Sequence, residues 1–242
     1  MQQELDEDKT IAPLSNVSIF MALVKTVVNR APDLPGMACF YGPPGFGKTF
    51  SATYAANKYR AYNVQVKSVW TRKKLCEEVL KDMGIKPEKS IPAMVDQIAE
   101  ELATSRRPLI IDEADFLIAK AMIEVVRDIY ESAYAPVILI GEENMPDNLR
   151  KWERVHNRML DMKRAQPATL MDTEHLAKLY CPGVDVFADL LEAIHTAAAG
   201  CTRRICVSLA RVRENAGTLG ASSMALADFT GELSSSRKPG RL

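Results

Sequence analysis

The chain has 242 residues, of which 47% are hydrophobic and 26% charged; this is the composition of an ordinary globular protein and excludes a disordered or collagen-like chain. Lysine plus arginine and aspartate plus glutamate both number 31, so the formal net charge is zero. This balance argues against a protein that coats nucleic acid by bulk charge, because such domains usually have a pI above about 9.

The sequence lacks the patterns typical of membrane-spanning segments and of metal sites. No apolar run reaches the roughly 18 residues that span a membrane, and residues 1–9 lack the apolar segment of a signal peptide. We therefore expect no membrane partner and a cytoplasmic location. The five cysteines contain no CxxC pair and are expected to be reduced, mostly buried thiols, and the three histidines lack the spacing of a metal site.

Strand and helix patterns alternate through the first two thirds of the chain. Short apolar runs predict strands at 37–41, 63–69, 109–111 and 136–140. Apolar residues three or four apart predict a first helix capped by Asn16 or Ser18 and further helices between the strands, one ending at Gly84 and one with Pro92 in its first turn. This alternation predicts an α/β domain at 13–168, in which helices cover both faces of a parallel sheet.

The strand patterns stop after about residue 168. Three amphipathic segments, at 173–180, 184–199 and 202–216, predict a small all-α second domain within residues 169–230. Residues 1–12 and 231–242 are predicted to be flexible tails.

A glycine-rich motif follows the first predicted strand. Residues 42–49 satisfy GxxxxGK[ST] between a strand and a helix, the context in which this pattern binds phosphate. Glycines let backbone N–H groups approach phosphate oxygens, and the positive end of the next helix points at the same place. Lys48 can reach the β- and γ-phosphates and Thr49 can hold Mg²⁺. The predicted nucleotide-binding residues are Gly42, Pro43, Pro44, Gly45, Phe46, Gly47, Lys48, Thr49 and Phe50.

An acidic pair, Asp112 and Glu113, ends the third predicted strand. We expect Asp112 to hold Mg²⁺ together with Thr49, and Glu113 to activate the attacking water, which makes Lys48 and Glu113 catalytic candidates. A water activator favours a hydrolase. A P-loop small-molecule kinase is the least favoured alternative, because such an enzyme excludes water from its site.

The residues Gly42-Pro43-Pro44-Gly45 together with Asp112-Glu113 resemble the AAA+ ATPases, over roughly residues 13–217. The resemblance implies a P-loop AAA+ core, with a parallel sheet sandwiched by helices and a small all-α lid domain, and ATP and Mg²⁺ as cofactors. Segments 137–144 and 149–159 look like the group that contains the phage Mu transposition protein B, the TnsC transposition regulators and the ExeA-type ATPases.

The resemblance also implies roles for single residues. The polar sensor 1 position falls at Glu142 to Asn144, with Asn144 as the candidate, and Arg203 matches the sensor 2 arginine, with Thr202 capping its helix. An arginine before the fifth strand acts in the ATP site of the neighbouring subunit; Arg158 matches this position best and Arg154 is the competitor.

A short basic run follows the second predicted strand. In assembling AAA+ proteins the loops after this strand face a central channel, so the resemblance implies phosphate contacts, with base stacking by the tryptophan, from Trp70, Thr71, Arg72, Lys73 and Lys74. Arg106 and Arg107, just before the third strand, are weaker candidates for DNA contacts.

The implied function is that of an ATP-dependent, non-specific DNA-binding protein. It would assemble as a helical filament on double-stranded DNA, hydrolyse ATP, and direct a transposase in DNA transposition, within a bacterial host cell if it is phage-encoded. The alternative is an AAA+ ATPase that acts on a protein partner, such as a secretion-linked ATPase or a helicase loader, without forming filaments on duplex DNA.

Overall fold

The computed structural model describes residues 14–235, so the predicted tail at 1–12 and residues 236–242 of the second tail lie outside the described part. The chain forms two compact units. The sheet unit comprises Ile19–Pro43 and Lys48–Ala165, and the helical unit comprises Pro44–Gly47 and the chain from Gln166, together with the residues up to Ser18. The domain boundaries expected from the sequence stay predictions.

The sheet unit is built on one parallel five-stranded sheet with the strand order β2-β3-β4-β1-β5. Its strands are β1 Met37–Tyr41, β2 Tyr62–Gln65, β3 Leu109–Asp112, β4 Val137–Gly141 and β5 Met159–Arg164. Its helices are α2 Lys48–Tyr59, α3 Arg72–Met83, α4 Ile91–Ser105, α5 Asp115–Ala119, α6 Ile123–Ala133, α7 Met145–Arg150 and α8 Glu153–His156, and most of α1 Ser15–Val28 also belongs to it.

Burial on both faces explains why the central strands are continuously apolar. Every residue of β3 and β4 is buried. On one face Leu139 packs in a core with side chains of α3, α4 and α6, and on the other Phe40 lies 5.1 Å from the ring of Phe20 in α1. The predicted α/β sandwich is therefore confirmed for this unit.

The second strand is shorter than the sequence predicted, because its partner ends. β2 pairs with β3 up to Gln65 and Asp112, and the N–H of Val66 still donates to the Asp112 carbonyl at 2.9 Å. Beyond that point the described residues 14–235 offer no ladder partner, and the chain turns, with the Trp70 N–H donating to the Lys67 carbonyl at 3.0 Å.

The helical unit contains α9 Leu170–Tyr180, α10 Ala188–Ala198 and α11 Thr202–Leu219. It is not purely helical, because two short strands, β6 Asp185–Val186 and β7 Ser223–Met224, pair in parallel. The helix predicted from residue 184 therefore begins at Ala188, since the residues before it form β6. None of the described helices has the length and the apolar character needed to cross a membrane.

The cysteines behave as the sequence predicted. Cys39, Cys76, Cys181 and Cys201 are buried free thiols and Cys206 is half-buried. Burial raises the pKa of the Cys76 thiol to about 11, so this side chain is a neutral apolar group in the core.

Candidate nucleotide-binding site

Lys48 is held in place by the backbone of the glycine-rich loop. Its Nζ donates to the carbonyls of Gly42 at 2.7 Å and Pro43 at 2.9 Å. An ammonium carries three N–H donors, so these two bonds leave one for an incoming phosphate oxygen. Burial lowers the pKa of Lys48, and the carboxylates of Asp112 and Glu113 oppose that shift.

Thr49 and Asp112 meet at the end of β3. The Thr49 hydroxyl donates to Asp112 Oδ2 at 2.7 Å, while Asp112 Oδ1 accepts the N–H of Glu113 at 2.8 Å. This pairing brings two hard oxygen donors together, as Mg²⁺ prefers. No group of three or more His, Cys, Asp or Glu side chains suited to a metal occurs within residues 14–235. The pair therefore fits Mg²⁺ bound in the usual nucleotide mode, where phosphate oxygens and water supply the other ligands.

Glu113, the expected general base, combines an unusual backbone conformation with a raised pKa. Its φ of +57° places a non-glycine residue in the left-handed region, a strained conformation that is concentrated at functional sites. Burial raises the pKa of this carboxyl, the negative charge of Asp112 raises it further, and Lys48 lowers it. A glutamate with a raised pKa accepts a proton from water more readily than an ordinary one.

The sequence motifs did not identify Asp115, a third acid beside this site. Its Oδ2 accepts the N–H of Glu142 at 2.6 Å and so ties the end of β3 to the end of β4. Burial raises the pKa of the Asp115 carboxyl. The signal was present in the sequence, because three of the four residues 112–115 are acidic.

Asn144 is exposed at the start of α7 and makes no capping bond with its side chain, so its sensor 1 role stays a prediction.

The middle of the glycine-rich loop packs within the helical unit. Gly45 and Gly47 have φ values of +81° and +80°, which L side chains rarely adopt. The Gly45 carbonyl accepts the N–H of Arg203 at 3.0 Å, and a Cβ added to Gly45 would lie only 2.7 Å from Cys201 Sγ. Arg203 is thereby fixed next to the loop by its backbone, with its side chain exposed. Its sensor 2 role stays a prediction.

Asn16 is a second residue whose role the sequence did not reveal. The sequence suggested it as a helix cap, whereas its buried amide Nδ2 donates to the carbonyls of Phe46 and Gln166, both at 2.8 Å. The predicted cap at Thr202 is wrong as well. Cys201 occupies the cap position and Thr202 is the first residue of α11, because the chain enters helical geometry one residue after Cys201. Phe50, predicted among the nucleotide-binding residues, lies on α2 and is 40% exposed.

The two candidate trans-acting arginines differ in their surroundings. Arg158 donates from Nε to Glu131, and its carbonyl accepts the N–H of Met37 at 3.0 Å. Arg154 is exposed on α8, and within the described residues its side chain has no hydrogen-bond or ion-pair partner. The trans-acting role of either arginine stays a prediction; for Arg154 it would require no existing side-chain contact to break, whereas Arg158 would have to leave Glu131.

Of the predicted DNA-contacting residues, Trp70 is buried and the other four are exposed. Trp70 is 8% exposed and packs in the core of the sheet unit, so its ring is not accessible for stacking on a base. Thr71 caps α3, with its hydroxyl accepting the N–H of Lys74 at 3.3 Å. Arg72 donates to the Ala121 carbonyl at 3.0 Å, and Lys74 pairs with Glu78 at 2.6 Å.

Comparisons with known proteins agree with this geometry. A family model described as "AAA domain" matches residues 33–149, a range that contains the glycine-rich loop, Asp112 and Glu113. A sequence comparison with curated proteins gives no significant match.

Three solved structures have a similar fold at low sequence identity. The Aeropyrum pernix Orc1 protein in complex with DNA matches with a TM-score of 0.63 and 17% identity, over 89% of this chain and 63% of that one. Cdc6p from Pyrobaculum aerophilum matches with a TM-score of 0.59 and 16% identity, over 94% of this chain and 66% of that one. A mutant of Thermotoga maritima RuvB matches with a TM-score of 0.59 and 18% identity, over 88% of this chain and 67% of that one.

The chain thus spans slightly less than two thirds of the first two of these proteins. With its parallel five-stranded sheet flanked by helices and its match to the AAA domain model, the chain has the core fold of the P-loop AAA+ proteins.

Proposed function

We propose that this protein is a Mg²⁺-dependent ATPase. The observation that carries the proposal is the contact between Thr49 and Asp112 at 2.7 Å, with Glu113 next in the chain and Lys48 anchored on the loop carbonyls. This is the arrangement that phosphoryl transfer to water requires, since catalysis of this reaction consists mainly of positioning and charge stabilisation.

Each residue has a distinct task in the proposed reaction. Lys48 donates its remaining N–H to a phosphate oxygen, and the backbone around Gly45 and Gly47 admits the phosphates without steric conflict. Thr49 and Asp112 would hold Mg²⁺, which would supply positive charge next to the phosphates. Glu113 accepts a proton from the water whose oxygen bonds to the γ-phosphorus, while the bond from that phosphorus to the ADP oxygen breaks.

Two variants test the ATPase proposal. Lys48→Ala is expected to lose ATP binding, and Glu113→Gln to keep ATP binding but hydrolyse it at least about 100-fold more slowly, because a general base contributes ~10²–10⁴-fold. The measurements are fluorescent-nucleotide binding and phosphate release. Phosphate release without any added acceptor would also exclude a small-molecule kinase. If Glu113→Gln hydrolysed ATP at the wild-type rate, the assigned base would be wrong.

We further propose that the protein binds duplex DNA without sequence preference when ATP drives its assembly. Thr71, Arg72, Lys73 and Lys74 form an exposed run at the start of α3, which suits contacts with phosphates. One of the structurally similar proteins is an Orc1 protein in complex with DNA, which supports the same class of ligand. A chain with zero net charge offers few cations per subunit, so repetition along an assembly would multiply a weak contact.

The finer role that we propose is delivery of target DNA to a transposase in a bacterial host cell. It is supported by the resemblance of segments 137–144 and 149–159 to the transposition regulators. In such an assembly Arg154, or Arg158 after release from Glu131, would act in the ATP site of the next subunit. ATP hydrolysis would then disassemble the protein from DNA.

A gel shift on random-sequence duplex, with and without ATP and across a salt series, tests the DNA proposal. Arg72→Ala/Lys73→Ala is expected to weaken ATP-dependent binding about tenfold and to reduce the salt dependence. The matched control is Lys86→Ala/Lys89→Ala, which removes the same charge from an exposed loop elsewhere. Absence of duplex binding by the wild type in ATP would instead favour an ATPase that acts on a protein partner.

A further inference from the structure

The five strands of the sheet begin side by side, at the end opposite to the glycine-rich loop. Their first residues are register partners across the whole sheet: Tyr62 with Leu109, Leu109 with Val137, Val137 with Met37, and Met37 with Met159. Neighbouring strands lie about 4.8 Å apart, so this row of strand starts is about 19 Å long. The residues that lead into the strands therefore lie along one edge of the sheet unit.

Large exposed residues occupy strained positions at this edge. The residues after α2, α4 and α6 are Arg60, Arg106 and Tyr134, with φ values of +51°, +55° and +52°. Glycine is the usual residue at a left-handed helix end, because a Cβ is unfavourable there. All three side chains are exposed, Tyr134 by 61%. Before three neighbouring strands the chain thus has an arginine or a tyrosine at a left-handed position. Glycine at the same position would make the folded protein more stable.

Further arginines complete the row. Arg107 lies over the ring of Tyr62 at 3.8 Å, and its Nε donates to the Arg60 carbonyl, which shows that the arginines before β2 and β3 are in contact. Arg30 donates to the Tyr134 carbonyl at 2.5 Å, and Arg158 directly precedes β5. We call these five arginines and Tyr134 the basic edge: Arg30, Arg60, Arg106, Arg107, Arg158 and Tyr134.

The basic edge is largely uncompensated by acidic groups. Within residues 14–235 only Arg158 of the five arginines forms an ion pair, with Glu131. Two further carboxylates lie at the start of β2, where Glu101 accepts a bond from the Tyr62 hydroxyl at 2.5 Å and Asp82 accepts the N–H of Asn63 at 2.9 Å. The side chains of Arg60 and Arg106 have no hydrogen-bond or ion-pair partner among the described residues. A groove next to the row is lined by Lys25, Thr26, Asn29, Arg30, Ala31, Leu34 and Leu160, so two cations and three apolar side chains share it.

We propose that the basic edge binds the phosphate backbone of duplex DNA, as a second contact surface that does not depend on nucleotide. Guanidinium groups match phosphate oxygens in geometry, and about 19 Å of duplex presents about 11 phosphate charges. An interface with another protein would need an apolar centre, whereas the basic edge carries one exposed aromatic ring amid cations. This surface is separated from Thr71–Lys74 by the length of the strands, so one subunit contacts two stretches of DNA.

The left-handed positions allow a variant that removes charge without destabilising the fold. Arg60→Gly/Arg106→Gly removes two cations at positions where glycine is conformationally preferred, so the fold is retained and thermal unfolding occurs at the wild-type temperature or above it. The probe is a labelled random-sequence duplex of about 30 base pairs, with binding measured by fluorescence anisotropy from about 50 to about 300 mM salt. The matched control is Lys86→Ala/Lys89→Ala.

Without nucleotide, Arg60→Gly/Arg106→Gly is expected to bind about tenfold more weakly than the control, and its plot of log affinity against log salt to be shallower by about 1.8, since each phosphate contact contributes about 0.9. A slope and an affinity equal to those of the control overturn the proposal. Poly-glutamate that competes as well as unlabelled duplex also overturns it, because an acidic protein would then be the ligand.

The class of ligand rests on the proposed function, but the outcome is separable from it. If wild-type protein binds duplex only in ATP and the glycine variant behaves like the wild type, the basic edge proposal fails while the ATP-driven assembly stands. If the protein neither binds nor hydrolyses ATP, the anisotropy measurements made without nucleotide still test DNA binding by the basic edge.

Discussion

Lys48 shares its surroundings with four carboxylates, those of Asp112, Glu113, Asp115 and Glu142. Two of them, Asp112 and Glu113, follow directly from local sequence, because a short motif fixes both the residue types and the strand end that carries them. Asp115 becomes visible only in the structure, where its carboxylate receives the N–H of Glu142 from the neighbouring strand. Trp70 shows the converse, since a basic sequence context suggested exposure and tertiary packing buries the ring.

If Glu113 is the general base of the proposed ATPase, its raised pKa sets the acid limit of the reaction. The base must be ionised to accept a proton from water, so the rate falls as the pH drops through a pKa that lies above the usual glutamate range. We expect the acid limb of the kcat/KM profile, which reports groups of the free protein, at a higher pH than for an ordinary glutamate. An acid limb at or below the ordinary glutamate range would contradict this assignment.

The same shift predicts the effect of pH on stability. A carboxyl whose pKa is raised by folding binds its proton more tightly in the folded state, so ionising it as the pH rises destabilises the fold. Glu113→Gln removes that penalty. Its Tm is therefore expected to exceed that of the wild type at neutral pH, and the difference should shrink as the pH falls below the raised pKa. A Tm difference independent of pH would be inconsistent with this prediction.

Substituting two glycines that have similar backbone conformations distinguishes the effect of backbone strain from the effect of a steric contact. Gly45 and Gly84 have φ values of +81° and +75°, but an added Cβ meets Cys201 Sγ at 2.7 Å only at Gly45. Gly84→Ala is expected to destabilise the fold by about 1 kcal/mol through strain alone, with nucleotide affinity unchanged. Gly45→Ala is expected to weaken nucleotide binding by at least about tenfold, because the glycine-rich loop must shift to relieve the contact. Equal nucleotide affinities of the two variants would show that the contact with Cys201 is unimportant.

Among the secondary-structure elements, apolar patterns predicted β1 to β4 and the long helices, but they predicted neither β5 nor the ends that depend on a partner. β1 has the predicted bounds, and Gly84 ends α3 as expected, because these features depend on local composition. β2 ends early because β3 ends, and β6 exists only through its pairing with β7, a distant segment of the chain. Long-range pairing of two-residue strands leaves no periodic signal in the sequence.

The start of α9 offers a test of how one buried acid organises the helical unit. Asp172 is 3% exposed and accepts the N–H groups of Thr169 and Ser15, both at 2.8 Å, as well as the Ser15 hydroxyl at 3.1 Å. Asp172→Ala leaves these donors without a partner, so we expect a loss of about 3 kcal/mol in the free energy of unfolding. The exposed Asp185→Ala is the control and should change it by less than about 0.5 kcal/mol. Equal losses in denaturant titrations would refute the assigned role.

For the molecule as a whole, the zero net charge conceals an uneven distribution. Within the sheet unit, carboxylates gather around Lys48 at the carboxyl ends of the strands, while arginines gather at the amino ends. Composition alone could exclude a bulk-charge DNA coater, but it could not reveal this separation, which arises because parallel strands place all their starts at one edge.

Electron microscopy of Glu113→Gln with ATP and random-sequence duplex DNA would show whether nucleotide binding drives assembly on DNA. Because this variant is expected to bind ATP and hydrolyse it slowly, the ATP-bound assembly should persist. We expect regular helical filaments that require both ATP and DNA, and none with Lys48→Ala under the same conditions. Glu113→Gln that binds ATP yet stays dispersed in the presence of DNA would contradict the claim that nucleotide binding drives assembly on DNA.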